Sequence, residues 1–409
     1  MVESTNNATK PHTQLPANQT LAEEENKDGS SPLTMYGSKE DFAEAIRGKL
    51  AEVHMNALET GLLDKFLTTP ETSVQSIADL LKKVESKLEL QGNRYQLKRL
   101  RRVLALFDKH EFWDTQPVQR SYEMVAADVM NGPVEQKKIE DIPAEPYNLP
   151  ANYNWCSVDL TDAGQAKEVY DLLEGHYVED DGGKFRFDYS IPFLRWALNP
   201  PGYKPDWIIG VRGGKKNSLF GFITGIPVNM NVNGKKVQMA EINFLCVHKQ
   251  LRSYRLAPVL IKEITRRVNR CDIWQAIYTA GVTLPTPVGA PVYWHRNLNP
   301  QKLVEVEFAY KPANMTQGRY NKNHRLPELP SLPGLRMMEE KDVPHVTELL
   351  KNHQEKFYKL FLELNDEEIA HFLLPKEGVI STYVVEDKDG SITDFTSYYS
   401  LPSSILGHP

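Results

Sequence analysis

Residues 237–279 constrain the fold more tightly than any other stretch of the chain. The run 242–247 is largely apolar, as a buried strand is, and 249–255 is a basic loop. Leu256, Val259, Leu260, Ile264 and Val268 then recur at helical spacing, with Pro258 near the first turn, where proline costs little. A β-rich run, 273–279, follows Cys271 and Asp272. Strand, loop, helix, strand is a βαβ crossover, which inserts a parallel strand into a sheet and lays a helix across its face. Upstream, strands are expected at 207–212 and 219–232, and Asn233-Gly234 predicts a hairpin turn into the strand 237–247. The sheet is therefore mixed and flanked by helices, an α+β fold. The crossover helix also points unpaired N–H groups and a positive dipole end at Arg252, Ser253 and Arg255, which suits a phosphate or pyrophosphate.

The chain also repeats itself. Leu160, Asp162, Val169, Leu172, Leu173 and His176 recur as Met337, Glu339, Val346, Leu349, Leu350 and His353, an offset of 177 positions (337 − 160). Residues 193–198 find 369–374, and Gly225, Ile226 and Pro227 find Ser400, Leu401 and Pro402. Two halves of one architecture are implied. The first half continues past Pro227 into the hairpin and crossover, whereas the second stops 7 residues after Pro402 (409 − 402). The second half is therefore expected to be incomplete, with strand 393–400 left as an open edge and the C-terminal end of the chain missing.

Length and charge narrow the function. A chain of 409 residues has room for two or three domains, and a formal net charge of −6 gives no global pull toward DNA or an anionic membrane. No apolar run is long enough for a signal peptide or a membrane span, so a cytoplasmic, soluble protein is expected. Three scattered cysteines, Cys156, Cys246 and Cys271, suit a reducing compartment and propose neither a disulfide framework nor a metal site. Residues 1–33 are polar and read as a disordered tail. Residues 34–109 carry three amphipathic patterns and read as a helical region. Their basic cluster, Lys98, Arg99, Arg101 and Arg102, is a solvated helix face in the plain reading and a ribosome or RNA contact in the other.

Four segments carry a family resemblance: FWDTQPV at 112–118, YVEDDGGKFRFDYS at 177–190, EINFLCVHKQLRSYRLAPVLIKEITRRV at 241–268 and YTAGVTLPTPVGAPVYWHRNLNPQKLVEVEF at 278–308. In this order they resemble the glycylpeptide N-tetradecanoyltransferases, the N-myristoyltransferase family, and the likeness runs from about residue 111 to the end. It implies a duplicated acetyltransferase-like (GNAT-type) fold. Residues 110–330 would form an acyl-CoA-binding half and 331–409 an incomplete half on the peptide side. It further implies transfer of tetradecanoate from its CoA thioester, a co-substrate and not a cofactor, to an N-terminal glycine by direct attack, in an enzyme working as a monomer on peptides or nascent chains.

The resemblance also assigns residues. Backbone N–H groups of Phe244 and Leu245, freed where the central strand bulges, would hold the oxyanion. Glu111, Phe112, Trp113, Leu245, Cys246, Val247, Arg252, Ser253, Arg255, Leu256 and Ala257 would hold acyl-CoA. Tyr177, Asp181, Phe185, Phe187, Tyr189, Asn243, Thr279, Gly281, Tyr293, His295 and Ser397 would meet the peptide. The acidic run at 179–181 would draw a cationic N-terminus, and tight space around Thr279 and Gly281 would select glycine. Cys246 lies in an apolar strand and reads as an inert core thiol. The family takes its base from a chain-terminal carboxylate, which Pro409 does not match, so weak activity is expected. The alternative is a truncated, non-catalytic polypeptide that binds acyl-CoA or ribosomes. A generic acetyltransferase with a short acyl pocket is a more distant third.

Overall fold

The computed structural model describes residues 112–118, 135–180, 182–281, 287–289, 291–330 and 332–407, together with Ser86 and Gly132. The expected tail 1–33, the region 34–109 apart from Ser86, and the site residues Glu111 and Asp181 lie outside the described residues. The chain divides into two compact units, Met1–Lys109 with Gln119–Val129, and His110–Val118 with Met130–Pro409.

The centre of the second unit is a long hairpin. β4 (Ser218–Val232) and β5 (Lys235–Val247) pair antiparallel from Val232↔Lys235 to Gly221↔Val247. Asn233 and Gly234 make the turn at φ 50° and 80°, the left-handed values that a two-residue turn of matching twist requires. β3 (Ile208–Gly213) adds to β4, and β1 (Tyr153–Ser157) adds to β3, both antiparallel. On the other side, β6 (Ala276–Tyr278) joins β5 in parallel. Between β5 and β6 the crossover helix α3 (Leu256–Asn269) packs Leu256, Leu260, Ile264 and Val268 against Ile209, Val211 and Ile223. Burying each such side chain contributes roughly 1.5–3 kcal/mol. Gly221 and Gly225 let the helix approach, since a Cβ at Gly221 would stand 3.2 Å from Leu256 and one at Gly225 3.4 Å from Ile264. The opposite face of the sheet carries α1 (Ala163–His176) and α2 (Ile191–Leu198), whose Val169, Leu172, Leu173, Phe193 and Leu194 share a core with Phe222, Ile226 and Phe244. The short β2 (Phe185–Phe187) lies between these two helices in sequence.

One sequence expectation changes here. The second crossover strand, expected over 273–279, pairs only at Ala276–Tyr278, because Ile273 turns into the core beneath α3. The segment at residue 112 forms a 3-10 turn at Trp113–Thr115, closed by the Thr115 hydroxyl donating to the Phe112 carbonyl.

After α4 (Pro300–Glu305) and α5 (Gln317–Asn323), the element order of the first half recurs. β7 (Leu335–Met337), α6 (Val343–Phe357), β8 (Leu360–Leu362), α7 (Asp366–Leu373), β9 (Ile380–Glu386) and β10 (Ile392–Tyr399) follow in turn. β7 pairs antiparallel with β9 and β9 with β10, just as β1 pairs with β3 and β3 with β4. The halves interlock. β8 joins the first sheet beside the far end of β4, at Met230↔Leu362, and β11 (Ser403–Ile405) pairs with β2 of the first half.

Candidate functional site

The order of β5 breaks at one point. Phe222 pairs with Cys246 and Thr224 with Asn243, so Ile223 alone stands opposite both Phe244 and Leu245. That is a β-bulge, which bends the strand and takes backbone groups out of the ladder. Phe244 adopts φ 53°, a left-handed conformation that costs a non-glycine residue roughly 1–3 kcal/mol. Its N–H donates to the Asn243 carboxamide oxygen at 3.1 Å and faces the Tyr177 hydroxyl. β6 pairs with β5 only through Ile242↔Tyr278. Past that pair, the edge of β5 bearing the bulge has no strand beside it among the described residues.

Side chains from distant segments surround this opening. Tyr189 stands edge-on to Phe244 at 5.1 Å and close to Tyr177 at 5.8 Å, with Phe187 at 5.7 Å beyond it. Burial pushes the Tyr177 and Tyr189 phenols up, the latter to about 12, so both stay neutral donors at physiological pH. On the far side Trp113 stacks on Tyr278 at 5.4 Å, with Phe112 edge-on to Trp113.

Below the bulge, a 3-10 turn at Lys249–Tyr254 and a left-handed Arg255, φ 54°, lead into α3, whose first turn has no side-chain cap. Arg252 donates to the carbonyls of His176 at 2.5 Å and Val247 at 3.3 Å. Its guanidinium thus ties the loop to the end of α1 and to β5. Ser253, Tyr254 and Arg255 are exposed, while Leu256 is buried. Glu179 accepts from Lys249 and Arg186, which hold its carboxyl down to about 2. Asp180 accepts the N–H groups of Gly182, Lys184 and Phe185. These two carboxylates brace the turn into β2, Glu179 through cationic partners and Asp180 through backbone amides that leave its charge in place.

Comparisons with known proteins bear on this arrangement. The family profile "Myristoyl-CoA:protein N-myristoyltransferase, N-terminal domain" matches residues 133–290, and its C-terminal domain counterpart matches residues 305–409. Glycylpeptide N-tetradecanoyltransferase 2 of Danio rerio is 47% identical over 343 residues, covering 84% of this chain and 68% of that protein. The chain belongs to the N-myristoyltransferase family. Glycylpeptide N-tetradecanoyltransferase 1 of Arabidopsis thaliana is 49% identical over 302 residues, 73% of this chain and 69% of its own length. A crystal structure of Saccharomyces cerevisiae N-myristoyltransferase with bound myristoyl-CoA superposes with a TM-score of 0.70 at 47% identity, covering 73% of this chain and 68% of that one. The chain spans about two thirds of the length of these relatives.

The match to the family's C-terminal domain corrects one expectation. Residues 305–409 form a recognisable C-terminal domain, so the missing C-terminal end, and the weak activity inferred from it, find no support. The repeat itself recurs in the order of elements. β10 has β9 as its one strand partner among the described residues, while β8 and β11 pair with the first half.

Among the residues expected to serve this N-myristoyltransferase site, Phe244, Tyr177, Phe187 and Tyr189 come together around the bulge, and Phe112 and Trp113 close its far side. Cys246 points away into the core, and Val247 is buried toward α3. Phe185 and His295 meet only through Phe308, at 5.5 and 5.6 Å, a residue sequence reasoning did not single out. Tyr293 is 86% exposed. Thr279 and Gly281 are also exposed, and among the described residues nothing lies within 4 Å of a Cβ built on Gly281. Ser397 lies exposed on β10, two residues before Tyr399, which packs on Phe193 at 5.6 Å. Tyr278, Phe308 and Tyr399 were missed because each is an ordinary aromatic in sequence. Only the spatial neighbour gives it a role.

Proposed function

We propose that this chain transfers a myristoyl group from myristoyl-CoA to the N-terminal glycine amine of a peptide by direct nucleophilic attack. One observation carries the reading: at the bulge of Phe244 and Leu245, β5 has no strand beside it among the described residues, so backbone N–H groups there can meet a carbonyl that is gaining negative charge. The thioester carbonyl would lie against this edge. The acyl chain would run past the end of β6, toward Trp113 and Tyr278. The CoA phosphates would meet the loop from Lys249 to Arg255 and the uncapped first turn of α3. Arg252 shapes that loop through backbone carbonyls, leaving backbone amides and the exposed end of the loop for the anion.

The peptide amine would approach from the face lined by Tyr177, Phe187 and Tyr189. An α-amine has a pKa near 8 and attacks only when neutral, so turnover should rise with pH toward about 8. Attack forms the new C–N bond, the nitrogen gives up a proton, the oxyanion collapses with cleavage of the C–S bond, and the departing CoA thiolate takes up the proton released. No covalent enzyme intermediate is needed, and the reaction would proceed in the cytoplasm with the enzyme as a monomer, on peptides or nascent chains. Release of free CoA thiol from myristoyl-CoA tests the reading. Thiol should appear with a glycine-led peptide and not with the same peptide led by alanine. Tight binding of myristoyl-CoA without turnover on any glycine-led peptide would sink it.

A further inference from the structure

We infer that Thr224 is a positioning residue for this reaction, its hydroxyl aiming the Phe244 N–H at the reacting carbonyl by holding the opposite end of the same peptide plane. The inference rests on the acyl-transfer reading above. Thr224 lies in β4 directly opposite Asn243 and is fully buried. Its hydroxyl donates to the Asn243 carbonyl at 2.9 Å. That carbonyl and the Phe244 N–H belong to one planar trans unit, so they point in opposite directions. A carbonyl held toward β4 therefore sends the N–H away from β4, to the side where β5 has lost its partner strand.

The neighbouring contacts agree. The acceptors facing the Phe244 N–H are the Asn243 side chain and the Tyr177 hydroxyl, neither of them on β4. The half-buried Glu241 carboxyl lies beside the Asn243 carboxamide. Phe244 needs such support because its backbone is left-handed with a side chain attached. Without the hydroxyl, the 243–244 plane can rotate toward an ordinary strand geometry. The amide would then turn away from the oxyanion, while the surfaces that hold acyl-CoA would stay in place.

The test compares the wild-type chain with Thr224→Val, which keeps shape and loses the donor, and Thr224→Ser, which keeps the donor. Two readouts are taken: steady-state transfer to a glycine-led peptide, and the infrared carbonyl stretch of bound myristoyl-CoA carrying 13C at the thioester carbon. The valine variant should lose roughly tenfold to a hundredfold in kcat, less than deletion of an oxyanion donor outright, with KM for myristoyl-CoA changed less than about twofold. Serine should restore most of the rate. The bound carbonyl should absorb at lower frequency than in water in the wild type and the serine variant, and lose that shift in the valine variant. A valine variant as fast as wild type, or one whose loss follows weaker myristoyl-CoA binding and is not rescued by serine, overturns the inference and leaves the acyl-transfer reading standing. A wild-type chain with neither turnover nor a carbonyl shift removes the acyl-transfer reading itself. Should the valine variant not melt cooperatively, Thr224→Cys, whose thiol is a poor donor, takes its place with the same outcomes.

Discussion

The Cys246 side chain lies next to the bulge and yet outside the chemistry. It is 3% exposed, and its thiol reaches only the Leu172 carbonyl at 3.8 Å. Burial pushes its pKa up to about 12, so at pH 8 roughly one molecule in ten thousand carries the thiolate that could attack a thioester. Cys246→Ala is expected to keep the rate of peptide acylation within about threefold of wild type, at a stability cost of about 1–2 kcal/mol from the lost volume. Iodoacetamide followed by peptide mass mapping should modify the exposed Cys271 and leave Cys246 untouched. The inert character of Cys246 was legible from its apolar strand. The left-handed backbone two residues earlier was not, because Asn-Phe-Leu in a strand is compatible with regular pairing, and the bulge exists only relative to the single Ile223 across from it.

Among the elements, the turn from β5 into α3 decides how the phosphate loop is held. His176 at the end of α1 and His248 just past β5 lie with ring centroids 3.8 Å apart and ring planes tilted by 47°. Each Nδ1 accepts a backbone N–H, from Lys249 at 3.4 Å and Gln250 at 3.2 Å, so neither Nδ1 carries a proton. Burial first, then the neighbouring His248, Lys249, Arg252 and Arg186, bring the His176 pKa down to about 4, against which the Glu179 carboxylate, held by Lys249 and Arg186, is an incomplete counterweight. The unfolded chain, with an ordinary histidine pKa near 6.5, therefore binds a proton before the folded one does. This contribution to stability is complete above pH 6.5 and is lost as pH falls toward 4. Thermal melts at pH 8 and pH 5 should show a smaller drop in Tm for His176→Asn, whose side-chain oxygen can accept the Lys249 N–H without titrating, than for wild type. Equal drops would rule the histidine out. The sequence showed a basic loop ahead of a helix. It gave no sign that Arg252, though exposed, would donate to two backbone carbonyls, since that depends on where α1 ends in space.

At the scale of the whole second unit, the two repeats meet through equivalent positions. Trp196 of α2 and Phe372 of α7, matched in the internal repeat, pack edge to face at 5.8 Å. The Trp196 indole donates to the His371 carbonyl at 3.2 Å, and His371 Nε2 lies 2.7 Å from the Trp196 carbonyl. Val379 and Ile380 of the second half share one core with Leu194 and Phe222 of the first. Trp196→Ala should therefore lower stability by about 2–4 kcal/mol while keeping a single melting transition in calorimetry. A melt that splits into two transitions would mean that the halves fold independently.

The sequence alone determined the antiparallel hairpin, the crossover with its parallel strand, the duplicated order of elements and the family. Those properties follow from local periodicity, turn chemistry and long ordered motifs, all readable along one strand of text. Tertiary structure decided the rest. It lent β8 and β11 to the first half, ended β6 early enough to open the edge of β5, and placed Thr224 against the one carbonyl whose direction aims the Phe244 amide. Strand partnership and the orientation of a peptide plane are relations between segments far apart in the chain, and no single segment contains them.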